Sequence, residues 1–330
     1  MVRRALFLFL RTSITLGILA YFARKLDWNT VLMEIWGLDY GYIAAAVITA
    51  GASHVLSAVR WWYLLKVQSI NLPLSIATKL TFIGQFFNLF LLGSVGGDAV
   101  KLLYIVRAAP NQKTHATLST IMDRVIGMFV MVIFGLTAIF AQIELSLDDQ
   151  RLRVFIFALM AALSLMVISF ILAMSIPANI IAQWFPKLWH KLPKRHLFEL
   201  TIAGFHQHGI ALSYTVLALF SSIAAWLLVC VVGILLAEGM ALTISGISIA
   251  LILTLVCLAT TLPISIGGHG IREGSFAMLF GIFGYGGIPS QSQAVLFSIL
   301  FFIAFSLWGL PGGLLYLFGL DRRIDLKEDS

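Results

Sequence analysis

GIALSYTVLALFSSIAAWLLVCVVGILLA, residues 209–237, runs for 29 positions without a charged side chain. A helix of that length rises about 44 Å at 1.5 Å per residue, more than the roughly 30 Å of a bilayer's hydrocarbon core. It has no polar face to turn toward water, so the segment constrains the chain to a membrane. Five further windows, 5–23, 41–66, 117–141, 154–176 and 293–318, meet the same length requirement. The sequence therefore predicts an all-α polytopic membrane protein with six spanning helices. Only 11% of residues are charged, against about a quarter in soluble domains. Arg3 and Arg4 precede the first apolar run as they would in a signal peptide, but Arg11 interrupts that run and no A-x-A-like site follows. A retained helix is the expectation.

The net charge of +7 follows the positive-inside rule, and no nucleic-acid partner is expected. With the N-terminus in the cytoplasm, Arg3, Arg4, Lys66, Lys79, Lys101, Arg107, Lys113, the bases between Lys187 and Arg195, and Arg322, Arg323 and Lys327 fall inside. Arg24, Lys25, Arg151, Arg153 and Arg272 fall outside, among most of the acids. Six crossings then place both termini in the cytoplasm, and the location expected is a bacterial inner (cytoplasmic) membrane.

Two apolar segments, 74–92 and 243–262, do not fit as ordinary spans. Each leads into a glycine pair followed by a base: GSVGGDAVK at 93–101 and ISIGGHGIR at 264–272. A full crossing by the first would carry Lys101, Arg107 and Lys113 to the outside. Both are read instead as re-entrant helical hairpins, over residues 74–109 and 243–284. Irregular backbone at membrane depth must be buried in protein or line a wet cavity, so both turns face inward, with Lys79, Gln85 and Asn88 facing the same way. The helix before the first hairpin runs outside to inside and the helix before the second runs inside to outside. The chain 1–330 is thus one membrane domain containing an inverted repeat, unit 1 over about 41–141 and unit 2 over about 209–318. Secondary transporters recur on this plan, with the substrate at the repeat interface. The other reading of the echo is two unrelated Gly-rich turns.

Gly96–Gly97 and Gly267–Gly268 relax the backbone before a helix begins, and a helix N-terminus attracts phosphate or carboxylate. Lys101 and Arg272 would strengthen that pull, whereas Asp98 also fits as an N-cap. His269, beside Arg272 and Glu273, fits either a proton-linked role or a hydrogen-bonded turn. Arg60, Asp123 and Arg124 lie inside spanning windows, where an ionised group costs roughly 2.5–3.5 kcal/mol. Arg60 and Arg11 are shallow enough to snorkel. The expectation is an ion network of Arg60, Asp98, Asp123 and Arg124 on the inner side of a cavity, with either a structural or a functional role.

Residues 182–200, AQWFPKLWHKLPKRHLFEL, mix aromatics with bases and read as an interfacial segment on anionic lipid. Trp61, Trp62 and Tyr63 read as part of an aromatic belt. His206 and His208 diverge on a helix and do not form a metal site. Cys230 and Cys257 are apolar fillers. No G-x-x-x-x-G-K-[ST] loop occurs, so ATP does not drive the chain through a nucleotide loop of its own. The acid pair Asp148–Asp149 lacks companion ligands. No cofactor, no metal and no enzymatic activity are expected.

SAVRWWYLLK, GSVGGDAVK, MDRVIG and LPISIGGHGIREG, in this order, resemble the lysylphosphatidylglycerol synthase transmembrane, or flippase-like, family over essentially the whole chain. The resemblance implies a lipid-handling membrane domain without the aminoacylating portion. It places Arg60, Gly96, Gly97, Asp98, Lys101, Asp123, Arg124 and the stretch from Pro263 through Gly267, Gly268, His269, Arg272 and Glu273 on recurrent motif positions. The family often carries a bulky apolar residue where this chain has His269. The expected function is a membrane lipid translocase for a phospholipid, an aminoacyl lipid or a hopanoid- or polyprenyl-type lipid, and a homo-oligomer is compatible with it. Its rivals are a secondary transporter of a soluble anion and a non-catalytic partner that presents lipid to a transferase.

Overall fold

A computed structural model describes residues 28–90, 96–141, 195–261, 271–283 and 291–318, with isolated helical positions between 157 and 180. Among the described residues the ordered elements are helical: α1 (Trp28–Trp36), α2 (Tyr40–Val67), α3 (Leu74–Phe90), α4 (Gly96–Ala108), a 3-10 turn (Pro110–Gln112), α5 (Lys113–Phe140), α6 (Arg195–Ile210), α7 (Leu212–Gly239), α8 (Gly246–Thr261), α9 (Ile271–Phe283), α10 (Gln291–Ser306) and α11 (Gly309–Leu317). Four stretches among the described residues are long and apolar enough to cross a membrane: Tyr40–Val67, Pro110–Phe140, Leu212–Gly239 and Ser292–Leu317. They match four of the six expected spans. The window 5–23, most of 154–176 and most of the 182–200 segment lie outside the described residues, as do Arg11, Pro263, Gly267, Gly268 and His269.

Large apolar side chains point away from the protein along these spans, among them Ile48, Val55, Phe220, Leu227, Ile299 and Ile303. An exposed apolar belt of this kind calls for a lipid surround. The fourth span is interrupted at Leu307–Trp308. Pro311 has no N–H to give the carbonyl of Leu307 four residues back, and Leu310 N–H takes that carbonyl instead at 3.1 Å.

The ends of α2 and α7 share a construction that hydropathy does not reveal. Each helix has 28 residues. After α2, Ser69 N–H donates to Lys66 O at 3.0 Å and Ile70 N–H to Leu65 O at 2.9 Å, with Ser69 at φ 57°. After α7, Ala241 N–H donates to Glu238 O and Leu242 N–H to Ala237 O, both at 2.9 Å, with Ala241 at φ 52°. Both are Schellman closures, built on residues other than glycine and separated by 172 positions in the chain.

These two helices pack antiparallel. Asp39 N–H at the start of α2 donates to Gly239 O at the end of α7 (2.9 Å), while Tyr63 near the end of α2 stacks on Tyr214 near the start of α7 (6.2 Å between centroids). Fully buried Ala46 and Ala50 let the two backbones approach, the usual means of helix association in lipid.

The short helices pack around this pair. α3 lies on α4 and α8 on α9; α3 also lies against α11, and α8 against α5. With α10 and α11 taken together as one span, exchanging the set α2–α5 with the set α7–α11 leaves these adjacencies unchanged. Glycine makes the tightest contacts: a Cβ on Gly312 would sit 2.0 Å from the Phe82 carbonyl oxygen, and one on Gly97 2.1 Å from that of Gly84. The α9–α10 contact is aromatic, with Phe276 and Phe280 each 5.2 Å from the Phe297 ring. At about 1.5 Å of rise per residue, α3, α4, α8 and α9 each fall short of the roughly 30 Å hydrocarbon core.

Candidate functional site

The charged residues expected to meet do meet. Arg60 of α2 donates from Nε to Asp123 Oδ1 of α5 at 2.6 Å and from Nη1 to Ser222 Oγ of α7 at 3.1 Å. Its guanidinium passes over Gly127, where a Cβ would stand 3.1 Å from Nη1. Arg124 Nε binds Asp98 Oδ2 on α4. Lys101, one turn along α4, joins both carboxylates: Nζ is 3.1 Å from Asp98 Oδ1 and 3.5 Å from Asp123 Oδ2. It also lies 4.6 Å from the Trp61 ring centroid, a cation–π contact at a buried site. The cluster thus ties α4 to α2, α5 and α7. Arg124 has the most accessible of its bases, with a side chain 35% exposed against 14% for Arg60 and 8% for Lys101.

Asp98 departs from the capping alternative. It lies within the first turn of α4, which begins at Gly96, and its carboxylate is turned to Lys101 and Arg124. The capping acceptor comes from the preceding helix: Asn88 Oδ1 accepts from Gly97 N–H at 2.7 Å. This occupies a donor that the sequence argument offers to an anion. Lys79 also departs, being exposed on the outer side of α3 rather than turned inward, because the buried face of α3 is spent on Ala77, Leu80 and Ile83.

Arg272 and Glu273, at the start of α9, are both buried and bind each other, Nη2 to Oε1, at 2.6 Å. Arg272 Nε also donates to Ser298 Oγ of α10 at 3.1 Å, and its guanidinium lies 4.5 Å from the Phe302 ring centroid. Lys101 and Arg272, the bases of the two glycine-pair motifs, are therefore each buried on an aromatic ring with a carboxylate partner.

α3, α8 and α10 together enclose a cavity of about 210 Å³ lined by Gln85, Asn88, Leu89, Thr260, Phe302, Phe305 and Ser306. It has room for several water molecules. His54, at the middle of α2, places Nε2 3.4 Å from the Phe305 carbonyl and its ring edge-on to Phe82 and Phe305. Nothing in the local sequence marks His54 or Ser222, whose partners come from distant helices.

A second polar cluster closes the C-terminal end of α2. Gln68 Nε2 donates to Gly204 O at 2.8 Å and contacts His208 Nε2 at 3.1 Å, while His115 Nδ1 contacts Gln68 Oε1 at 2.9 Å. The carboxamide geometry makes His208 Nε2 an acceptor and therefore the ring neutral. Burial agrees, holding His208 down at about 4. No set of three or more metal-ligating His, Cys, Asp or Glu side chains gathers among the described residues.

Residues 8–309 match the model of the family described as the lysylphosphatidylglycerol synthase TM region. The chain belongs to this family. Its residues Arg60, Asp98, Lys101, Asp123 and Arg124 form one contiguous ion cluster. Residues of this lysylphosphatidylglycerol synthase TM-region protein also resemble a UPF0104 membrane protein of Pyrococcus horikoshii, at 31% identity over 102 residues. That match covers 30% of this chain and 30% of the relative, well under two thirds of the latter's length.

Proposed function

We propose that this protein is a membrane lipid translocase, moving a phosphate-bearing or modified lipid between leaflets while the acyl tails stay in the bilayer. On this reading α3–α4 and α8–α9 are the re-entrant hairpins of two oppositely directed units. The protein makes six crossings of a bacterial inner membrane, with both termini cytoplasmic, and carries out no bond-making step of its own. The observation that carries the reading is a polar cavity that α3 and α8, each too short to cross, line together with α10, and whose Asn88 bonds Gly97 N–H next to Asp98 of the buried ion cluster. Such a path replaces water around a headgroup with fixed dipoles and charges, lowering the cost of drawing it through hydrocarbon. Arg124, the most accessible base of the cluster, would meet the phosphate first.

The test is reconstitution into liposomes with headgroup-labelled phospholipid, followed by leaflet-selective quenching. Protein-dependent exchange is expected, reduced about tenfold or more by Arg124→Ala. Absence of exchange without a gradient and under both proton and sodium gradients would sink the translocase reading. A second reading, transport of a soluble anion, draws on the modest cavity, which fits a small solute without any tail. Uptake of a labelled soluble anion by the same liposomes, with no lipid exchange, would favour it.

A further inference from the structure

The cavity has a chemistry distinct from the charged groups around it. Its polar lining consists of two carboxamides and two hydroxyls, Gln85 and Asn88 of α3, Thr260 of α8 and Ser306 of α10, with the rings of Phe302 and Phe305 beside them. Among the described residues no charged side chain lines it. The nearby charges are compensated behind the wall: Arg272 by Glu273, and Lys101 by Asp98 and Asp123. A phosphate or ammonium seated here would leave water without a counter-charge in contact, which is strongly unfavourable.

The polar groups nevertheless have hydrogen-bonding capacity to spare. The Gln85 carboxamide and the Ser306 hydroxyl have no partner among the described residues. Asn88 uses its Oδ1 on Gly97 N–H, which leaves its NH2. Thr260 Oγ1 donates to Cys257 O at 2.9 Å and keeps its lone pairs. Together these supply donors and acceptors side by side, the pattern a group of neighbouring hydroxyls requires, next to aromatic faces that suit the C–H side of a ring or polyol.

We infer that this cavity receives the uncharged polyhydroxylated part of a substrate, a glycosyl or glycerol unit, with its hydroxyls on Gln85, Asn88, Thr260 and Ser306 and its C–H face on Phe302 and Phe305. The inference rests on the translocase reading for its route into the cavity, but not for the binding chemistry. While the polyol portion occupies the cavity, a headgroup phosphate is held at the Arg124 side, and the polyol portion is what the cavity selects. A site built to bond hydroxyls discriminates strongly against an analogue lacking them, because its own polar groups are then left unpaired.

The test uses the full-length protein in native mass spectrometry with glucosyl-diacylglycerol, phosphatidylglycerol and phosphatidylethanolamine of matched acyl chains in competition, and with free glucose added at millimolar concentration. Glucosyl-diacylglycerol and phosphatidylglycerol should be retained about tenfold over phosphatidylethanolamine, a difference of about 1.4 kcal/mol. Gln85→Leu should bring that preference close to parity, and the milder Ser306→Ala should reduce it in protein whose fold is not in question. Displacement of the lipids by glucose would support the polyol chemistry and make a soluble sugar its source. Equal retention of all three lipids, or a preference unmoved by both substitutions, would overturn the inference. Selective retention together with absent leaflet exchange would leave the site standing and remove the translocase reading instead.

Discussion

Asp123 holds two bases at once, Arg60 at 2.6 Å and Lys101 at 3.5 Å. Removing one partner of a buried pair leaves an uncompensated charge and typically costs about 3–5 kcal/mol. Asp123→Leu should therefore lower the melting temperature in detergent strongly, and Arg60→Met combined with it should recover much of the loss. A double variant no more stable than the single one would show that the pair is not energetically coupled. At the far end of α2, His208 gives a pH dependence of known sign. Its folded state resists protonation down to about 4, against 6.5 for the ordinary imidazole, so the unfolded chain binds the proton more readily. The stability contributed by the neutral ring is present above pH 6.5 and is lost as pH falls from there to about 4, by on the order of 3 kcal/mol. Thermal melts over that range should decline for the native protein and decline less for His208→Gln.

Glycine sets how closely the elements approach. Gly312 lies against the Phe82 carbonyl, which is backbone and cannot rotate away. Gly312→Ala should force α11 from α3 and destabilise by about 1–3 kcal/mol. Gly281→Ala on α9 meets nothing within 4 Å and should be neutral or stabilising by up to about 1 kcal/mol. These paired melts separate packing from helix propensity. The Schellman closures offer the opposite experiment. Ala241 has a left-handed backbone that costs a residue with a side chain roughly 1–2 kcal/mol, so Ala241→Gly should raise the melting temperature. A drop would mean that the Ala241 methyl contributes more than the strain removes. The closures were not legible in the sequence, since Ser69 and Ala241 lack the glycine signal. The spans themselves were legible, because apolar length alone is enough to mark them.

On the scale of the whole molecule, the antiparallel packing of α2 and α7 separates their terminal turns by the full length of a span. In a variant without Cys230 and Cys257, Ser69→Cys and Ala241→Cys, both at exposed positions, should react with a membrane-impermeant thiol reagent from opposite sides of sealed vesicles. Labelling of both from one side would contradict two oppositely directed units.

Hydropathy, motif order and the spacing of two glycine pairs were enough to define the class, four described spans and four residues of the ion cluster, though not Lys101 as the base that joins its two carboxylates, because transfer into lipid is a local property of each segment. They did not determine which helix touches which. In hydrocarbon, helices associate through close backbone contact and polar pairing rather than through apolar burial. The approach of Gly312 to Phe82, the placement of Lys101 on Trp61, the use of Asn88 as the cap for Gly97 and the gathering of carboxamides and hydroxyls around the cavity therefore exist only once the chain is packed.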